Sequence, residues 1–283
     1  MSKESPTKAP PASLPTEATL DASAQLDRLD VSEVLATIHA QDGCALAAVA
    51  AILPEVERAV VILAEVMSRG GRWFNIGAGT SGRMGVLDAS EIPPTFGLPP
   101  ERVVGLIAGG PDALRRSIEG AEDDAAAARG DLRDHGLGPD DVVLALSASG
   151  RTPYALAALA TARDVGARRL ALTCDPDSPL AAAAEVALAP AVGPEVIAGS
   201  TRMKGGLAQK MVLHMLSTAT LVRLGRVEGN RMTHLRPVSE KLRRRACRIV
   251  AELGGVEEAR AEALLRACGG EVSAALALAR REA

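Results

Sequence analysis

Trp73-Phe74-Asn75-Ile76-Gly77-Ala78-Gly79-Thr80-Ser81-Gly82-Arg83 is the stretch on which the fold turns. Trp73–Ile76 is an apolar run of strand length, and the glycines that follow mark a sharp turn into a helix. As a string it satisfies the G-x-G-x-x-G dinucleotide fingerprint, a weak signal alone. That fingerprint also requires an acid at the end of the second strand, to hold a ribose. Here the second strand ends Ile107-Ala108-Gly109-Gly110, without one. Thr80 and Ser81 instead add hydroxyls to the N–H groups of a helix N-terminus, which suits a phosphate or sugar hydroxyls. A tight strand-to-helix turn with no ligand would use the same residues.

Apolar runs of strand length recur at Val103–Ala108, Asp141–Ala148, Leu170–Cys174 and Val186–Pro190. Helical segments separate most of them, at 81–90, at 112–134 with a break at Gly120, and at 153–166. The spacing predicts an α/β fold, a doubly wound and mainly parallel sheet covered on both faces. Upstream, 32–70 reads as helices: Ser32 is the expected N-cap, Pro54 starts a second helix and Gly70-Gly71 stops it. Downstream, 201–225 is a long, nearly uncharged helix, expected to be buried against the sheet or a partner. Pro237 marks a break, and 238–283 reads as three short helices. The expected organisation is a disordered tail over 1–18, an α/β domain with N-terminal helices over 19–237, and a small helical domain over 238–283.

Ser147-Ala148-Ser149-Gly150-Arg151-Thr152-Pro153 is a second loop at a strand's carboxyl end. Ser147, Ser149 and Thr152 crowd hydroxyls around Gly150 where a helix dipole is positive, as a phosphate monoester requires. An ordinary N-cap would use one hydroxyl. Two such loops on neighbouring strands place a site at a topological switch point. A third segment, Gly193 to Lys204, can supply Glu195, Ser200 and Lys204; a simple capping loop before the long helix fits equally. Carboxylates form a fourth set. Glu91 falls near the expected end of the first helix, where a negative charge is electrostatically misplaced and its proton held more tightly. Glu122 follows Gly120, where acids in a first turn can also be merely stabilising.

Composition narrows the partners. The chain has 283 residues, net charge −3 and no basic tract, so nucleic acid is not expected as a partner. With one Trp, one Tyr and two Phe there is no aromatic platform for bases. Four scattered cysteines and four scattered histidines have no metal-ligand spacing, so no metal is expected. The first twenty residues lack the apolar core of a signal peptide, and no apolar run approaches membrane-span length. A reducing, cytoplasmic setting is expected.

The run from Ile76 to Arg83, then Gly85-Val86-Leu87-Asp88-Ala89-Ser90-Glu91 and Pro93-Pro94-Thr95-Phe96-Gly97, closely resembles the N-acetylmuramic acid 6-phosphate etherases. Glu119 to Asp124, Ala148 to Tyr154, Gly193 to Lys204 and Ala208 to Leu213 continue the resemblance, which runs from about residue 16 to 283. It implies a sugar isomerase (SIS) fold, with the C-terminal helices as a small ubiquitin-associated-like bundle. It implies cleavage of the D-lactyl ether of N-acetylmuramate 6-phosphate without metal or other cofactor, in a homodimer. It also places the family's acid/base residue at Glu91, its second active-site acid at Glu122, and the phosphate loop at Ser147, Ser149, Gly150 and Thr152. The sequence departs from the family's usual pattern after Thr16-Glu17, at Ile92 and at His214. A non-catalytic sugar-phosphate regulator, like the glucokinase regulatory protein, is the runner-up, and an aldose–ketose phosphosugar isomerase is the third reading.

Overall fold

The computed structural model describes residues 14–282. Two helices, α1 (Val31–Ala51) and α2 (Leu53–Ser68), precede the sheet. Then strands and helices alternate: β1 (Trp73–Gly77), α3 (Gly79–Phe96), β2 (Val103–Ile107), α4 (Ala125–Asp134), β3 (Val142–Leu146), α5 (Pro153–Val165), β4 (Arg168–Leu172), α6 (Pro179–Ala183) and β5 (Val186–Leu188). The long α7 (Lys204–Arg223) follows. A short antiparallel ribbon, β6 (Val227–Glu228) with β7 (Arg231–Met232), leads to α8 (Glu240–Gly254), α9 (Glu258–Ala267) and α10 (Val272–Glu282).

The five strands pair in parallel in the order β2-β1-β3-β4-β5. Successive side chains of a strand face opposite sides, and every strand here is buried on both. Trp73, Val142, Leu144, Leu170 and Leu172 pack with α1, α2, α3 and α7. Phe74, Ile76, Val143, Ala145 and Ala171 pack with α4, α5 and α6. Helices α8 to α10 bury a core of their own, which Leu235 joins. The expected doubly wound sheet is borne out. The chain reverses its winding between β1 and β3, so their carboxyl ends flank the switch point.

Local details differ from expectation for identifiable reasons. Asp30, not Ser32, caps α1: its carboxylate accepts the Glu33 N–H at 2.9 Å while the Glu33 carboxylate accepts the Asp30 N–H at 2.9 Å. Helix α3 does not stop near 90 but runs through Pro93 and Pro94 to Phe96. Those prolines deny donors to the carbonyls of Ala89 and Ser90. Burial of Ile92 and Phe96 holds the last turn in place, and Gly97, at φ +68°, ends it. The 112–134 segment is α-helical only from Ala125, where the Asp124 carboxylate accepts two backbone N–H groups and restarts the helix. The expected tail over 1–18 lies outside the described residues for 1–13. Residues 14–18 form a turn with Thr16 buried, and the Thr16 carbonyl accepts the Gly199 N–H at 3.1 Å. Against the expectation of no span-length segment, α1 is long and apolar enough on average to cross a membrane, although Glu33, His39, Gln41 and Asp42 interrupt it. It packs on α2 and α7, and Gln41 accepts a hydrogen bond from Lys204 Nζ at 2.7 Å.

Candidate active site

Three loops meet at the carboxyl end of the sheet. The first, Gly77–Gly82, needs its glycines: a Cβ on Gly82 would lie 2.5 Å from the Gly77 carbonyl oxygen, so only bare backbone fits the turn. Ala78, the N-cap of α3, has no side chain with which to cap it. The second is the hydroxyl loop. Ser147 Oγ lies 2.8 Å from Thr152 Oγ1 and 3.3 Å from Ser149 Oγ, and it accepts the Gly150 N–H at 3.1 Å. Gly150 sits at φ +65°, where a Cβ would lie 2.1 Å from Ser178 Oγ. Thr152 is the N-cap of α5, but its hydroxyl is turned to Ser147 rather than to the helix. The N-termini of α3 and α5 therefore both lack a side-chain cap, which leaves their positive ends for an anion.

The third loop brings in α7. A Cβ on Gly205 would lie 3.6 Å from Ala148 Cβ, and one on Gly206 would lie 3.2 Å from Thr80 Cγ2. The first turn of α7 is thus wedged between the other two loops. Its N-terminus is already occupied: Glu195 Oε2 accepts the Lys204 N–H at 3.0 Å and Oε1 accepts the Gly205 N–H at 2.9 Å. Glu195 and Lys204, expected to meet a substrate, are both buried and joined to the protein's own groups, Glu195 to α7 and Lys204 to Gln41. Ser200 is half-buried on the same loop, Thr80 is half-buried and Ser81 is buried.

Two further groups stand at the site, Arg151 in the hydroxyl loop and Cys174 just beyond β4. Arg151 pairs with buried Asp175 at 3.2 Å and leaves Nη1 buried without a partner among the described residues. Cys174 lies beside Gly205 and Glu195; burial, reinforced by the Glu195 charge, pushes its thiol up to about 12, which makes it a poor nucleophile.

The two candidate acids lie apart. Glu122 is exposed on a 3₁₀ turn, Ala121–Asp123, that packs against α5 at the loop end of the sheet. Glu91 is exposed on α3, twelve residues beyond Gly79. At about 1.5 Å per residue it lies roughly 18 Å down the helix axis, toward the far end of the sheet. There it lines a pocket of about 380 Å³ with Asp88, Lys210, His214 and Ser217. Burial raises Asp88 to about 6, above its ordinary 3.8, against the opposing pull of the Ser217 hydroxyl and Lys210.

Etherases of Yersinia pestis (strain Pestoides F) and Yersinia pseudotuberculosis (serotype O:1b), named N-acetylmuramic acid 6-phosphate etherase, are each 51% identical to this chain over 255 residues, 90% of it and 86% of theirs. The chain belongs to the N-acetylmuramic acid 6-phosphate etherase family. Within this etherase-family chain, residues 126–219 match the SIS domain, and residues 55–163 match the glucokinase regulatory protein N-terminal SIS domain. The second match covers well under half of the chain, so the etherase relatives outweigh the regulator reading. Among solved structures, a phosphoheptose isomerase from Francisella tularensis aligns with TM-score 0.52 at 17% identity, covering 68% of this chain and 98% of its own. A chain from Escherichia coli CFT073 aligns with TM-score 0.52 at 21% identity, covering 71% and 97%. Both bear out the SIS fold.

Proposed function

We propose that this chain cleaves the D-lactyl ether of N-acetylmuramate 6-phosphate, releasing D-lactate and N-acetylglucosamine 6-phosphate. One observation carries the substrate class. The uncapped N-termini of α3 and α5 open at the same end of the sheet, beside the hydroxyls of Ser147, Ser149 and Thr152. A dianionic phosphate meets two positive helix ends and several donors there. Thr80, Ser81, Gly150 and Ser200 complete the cradle, while Glu195 and Lys204 hold the α7 loop against it.

An alkyl ether resists direct displacement, but an ether β to a carbonyl does not. Ring opening exposes the C1 aldehyde and acidifies the C2 proton. A carboxylate takes that proton, lactate leaves from C3 as a protonated carboxyl assists, water adds to the enal at C3, and C2 is reprotonated. Glu91 and Glu122 carry this acid–base work. The 18 Å along α3 is too far for one chain's Glu91 to reach a sugar phosphate held in its own cradle. A homodimer in which Glu91 of one copy faces the cradle of the other resolves the separation. An apolar face is open for that pairing: Val31, Leu35 and Leu46 line one stripe of α1 at 76%, 60% and 62% exposure. The setting is the cytoplasm, consistent with four free thiols.

Incubation with N-acetylmuramate 6-phosphate in deuterated, ¹⁸O-labelled water tests the reading. The sugar product should carry deuterium at C2 and ¹⁸O at O3, and the lactate should keep its ether oxygen. No lactate release rejects the substrate; ¹⁸O in the lactate hydroxyl with none at O3 rejects elimination.

A further inference from the structure

Asp88 stands one helical turn before Glu91 on α3, and the two carboxylates line the same pocket. Asp88 is 6% exposed. Its Oδ1 accepts the Ser217 hydroxyl at 3.1 Å, across 129 residues of sequence. Its Oδ2 is buried with no partner among the described residues. A charged carboxylate with a dry, unpaired oxygen is costly, so the site is built around a group that carries or shares a proton. Only one donor is fixed on it, and the opposite wall of the pocket is basic. Lys210 and His214 project from α7. The His214 Nδ1 lies 2.8 Å from the Lys210 carbonyl, which can only accept, so Nδ1 carries a proton and Nε2 is the ring nitrogen free of that contact.

We propose that Asp88 is a positioning residue that acts through Glu91: a buried carboxyl, held by Ser217, whose charge is coupled to the proton exchange of Glu91. The inference rests on the reading of Glu91 as the acid–base group. Burial is the main cause that raises Asp88; the charge of Glu91 adds to it, and Ser217 and Lys210 oppose it. The other elements packed on α3 add little charge here. Strands β1, β2 and β3 carry no titratable side chain. Of the turn Pro100–Arg102, Glu101 is exposed and Arg102 donates to the carbonyls of Met67 and Gly71. A second carboxylate one turn away is otherwise unhelpful in a helix, since like charges at that spacing repel. Its use is to keep the proton inventory of the pocket close to neutrality, where a group that must both take and return a proton works best. Protons then leave the pair in steps that belong to neither residue alone.

The coupling is reciprocal, so it is read from both sides. In the purified homogeneous enzyme, Asp88→Asn keeps an oxygen acceptor for Ser217 and removes the charge. The acidic limb of kcat/KM should then move to lower pH by about half to one unit, the size of a like-charge coupling about 6 Å apart in a partly solvated setting. Ser217→Ala, which leaves the carboxyl but removes its donor, should move the limb the same way by less. In Glu91→Gln, carboxyl-carbon NMR titration of Asp88 should show its midpoint falling by the amount that Asp88→Asn moved the kinetic limb. Superimposable wild-type, Asp88→Asn and Ser217→Ala profiles, with altered melting temperature only, would reduce Asp88 to a packing residue and overturn the inference. An Asp88 midpoint indifferent to Glu91→Gln overturns it even if Asp88→Asn fails to fold. Full turnover by Glu91→Gln instead overturns the acid–base reading of Glu91, a result distinguishable from either.

Discussion

The Glu195 carboxylate accepts the Gly205 N–H at 2.9 Å from ten residues upstream and, through its other oxygen, the Lys204 N–H at 3.0 Å. This single side chain closes α7, which has no capping side chain at its own N-cap, Met203. It also keeps Gly205 and Gly206 against Ala148 and Thr80, so the cap fixes the relative placement of all three loops.

Glu195→Ala should therefore damage the fold before it damages chemistry. Two buried N–H groups lose a charged acceptor, worth about 3 kcal/mol or more together. Urea denaturation should show a loss of that order. A stability change within about 0.5 kcal/mol, accompanied by a large rise in KM, would instead place Glu195 in contact with substrate.

Ser149→Ala should weaken binding more than it slows the reaction. The phosphate is remote from the C2–C3 bond, so its contacts act equally in ground and transition states. Losing one charge-assisted hydrogen bond of roughly 1.5–3 kcal/mol should raise KM about 10- to 150-fold with kcat much less changed. Steady-state kinetics with the phosphorylated substrate decides it; a pure kcat effect would move Ser149 to the reacting end.

Gly150→Ala should abolish the cradle. The residue lies at φ +65°, and its new Cβ would fall 2.1 Å from Ser178 Oγ and 2.7 Å from Thr173 Oγ1. Neither neighbour is free to retreat: both are fully buried. Strain of at least 1–3 kcal/mol should appear in thermal melts, and inorganic phosphate should no longer raise the melting temperature.

Glu91→Gln and Glu122→Gln should each lose about 10²–10⁴-fold in kcat. If Glu91 reaches the cradle of the other copy, mixing the two inactive proteins through a denaturation–refolding cycle should restore about a quarter of wild-type activity. Half of the dimers are then mixed, and each mixed dimer holds one intact site. No recovery would place both acids in one chain's site.

Asp88 should make stability depend on pH. Its folded-state value, about 6, lies above the ordinary 3.8, so the folded protein binds more protons than the unfolded chain between those values. Stability from this group is therefore full below about pH 4 and is lost as pH rises through 6. Asp88→Asn should be more stable than wild type at pH 7, by on the order of 3 kcal/mol, with the difference vanishing near pH 4. Denaturant midpoints at the two pH values provide the check.

The five strands, the two glycine-containing loops and the hydroxyl cluster were legible in the sequence because each is local. Alternation of apolar runs and punctuation by Gly and Pro act over a few residues, and Ser147, Ser149 and Thr152 meet because they are neighbours in the chain. The β6–β7 ribbon and α6 are not legible in the sequence, because two-residue strands and a five-residue helix carry too little periodicity. Only the tertiary structure ordered the strands as β2-β1-β3-β4-β5, set Ser217 on Asp88 and turned Glu195 to the start of α7. It also chose the surroundings of Glu91: the packing of α3 on α7 brings Lys210, His214 and Ser217 to its pocket, and contacts so distant in sequence leave no local pattern to read.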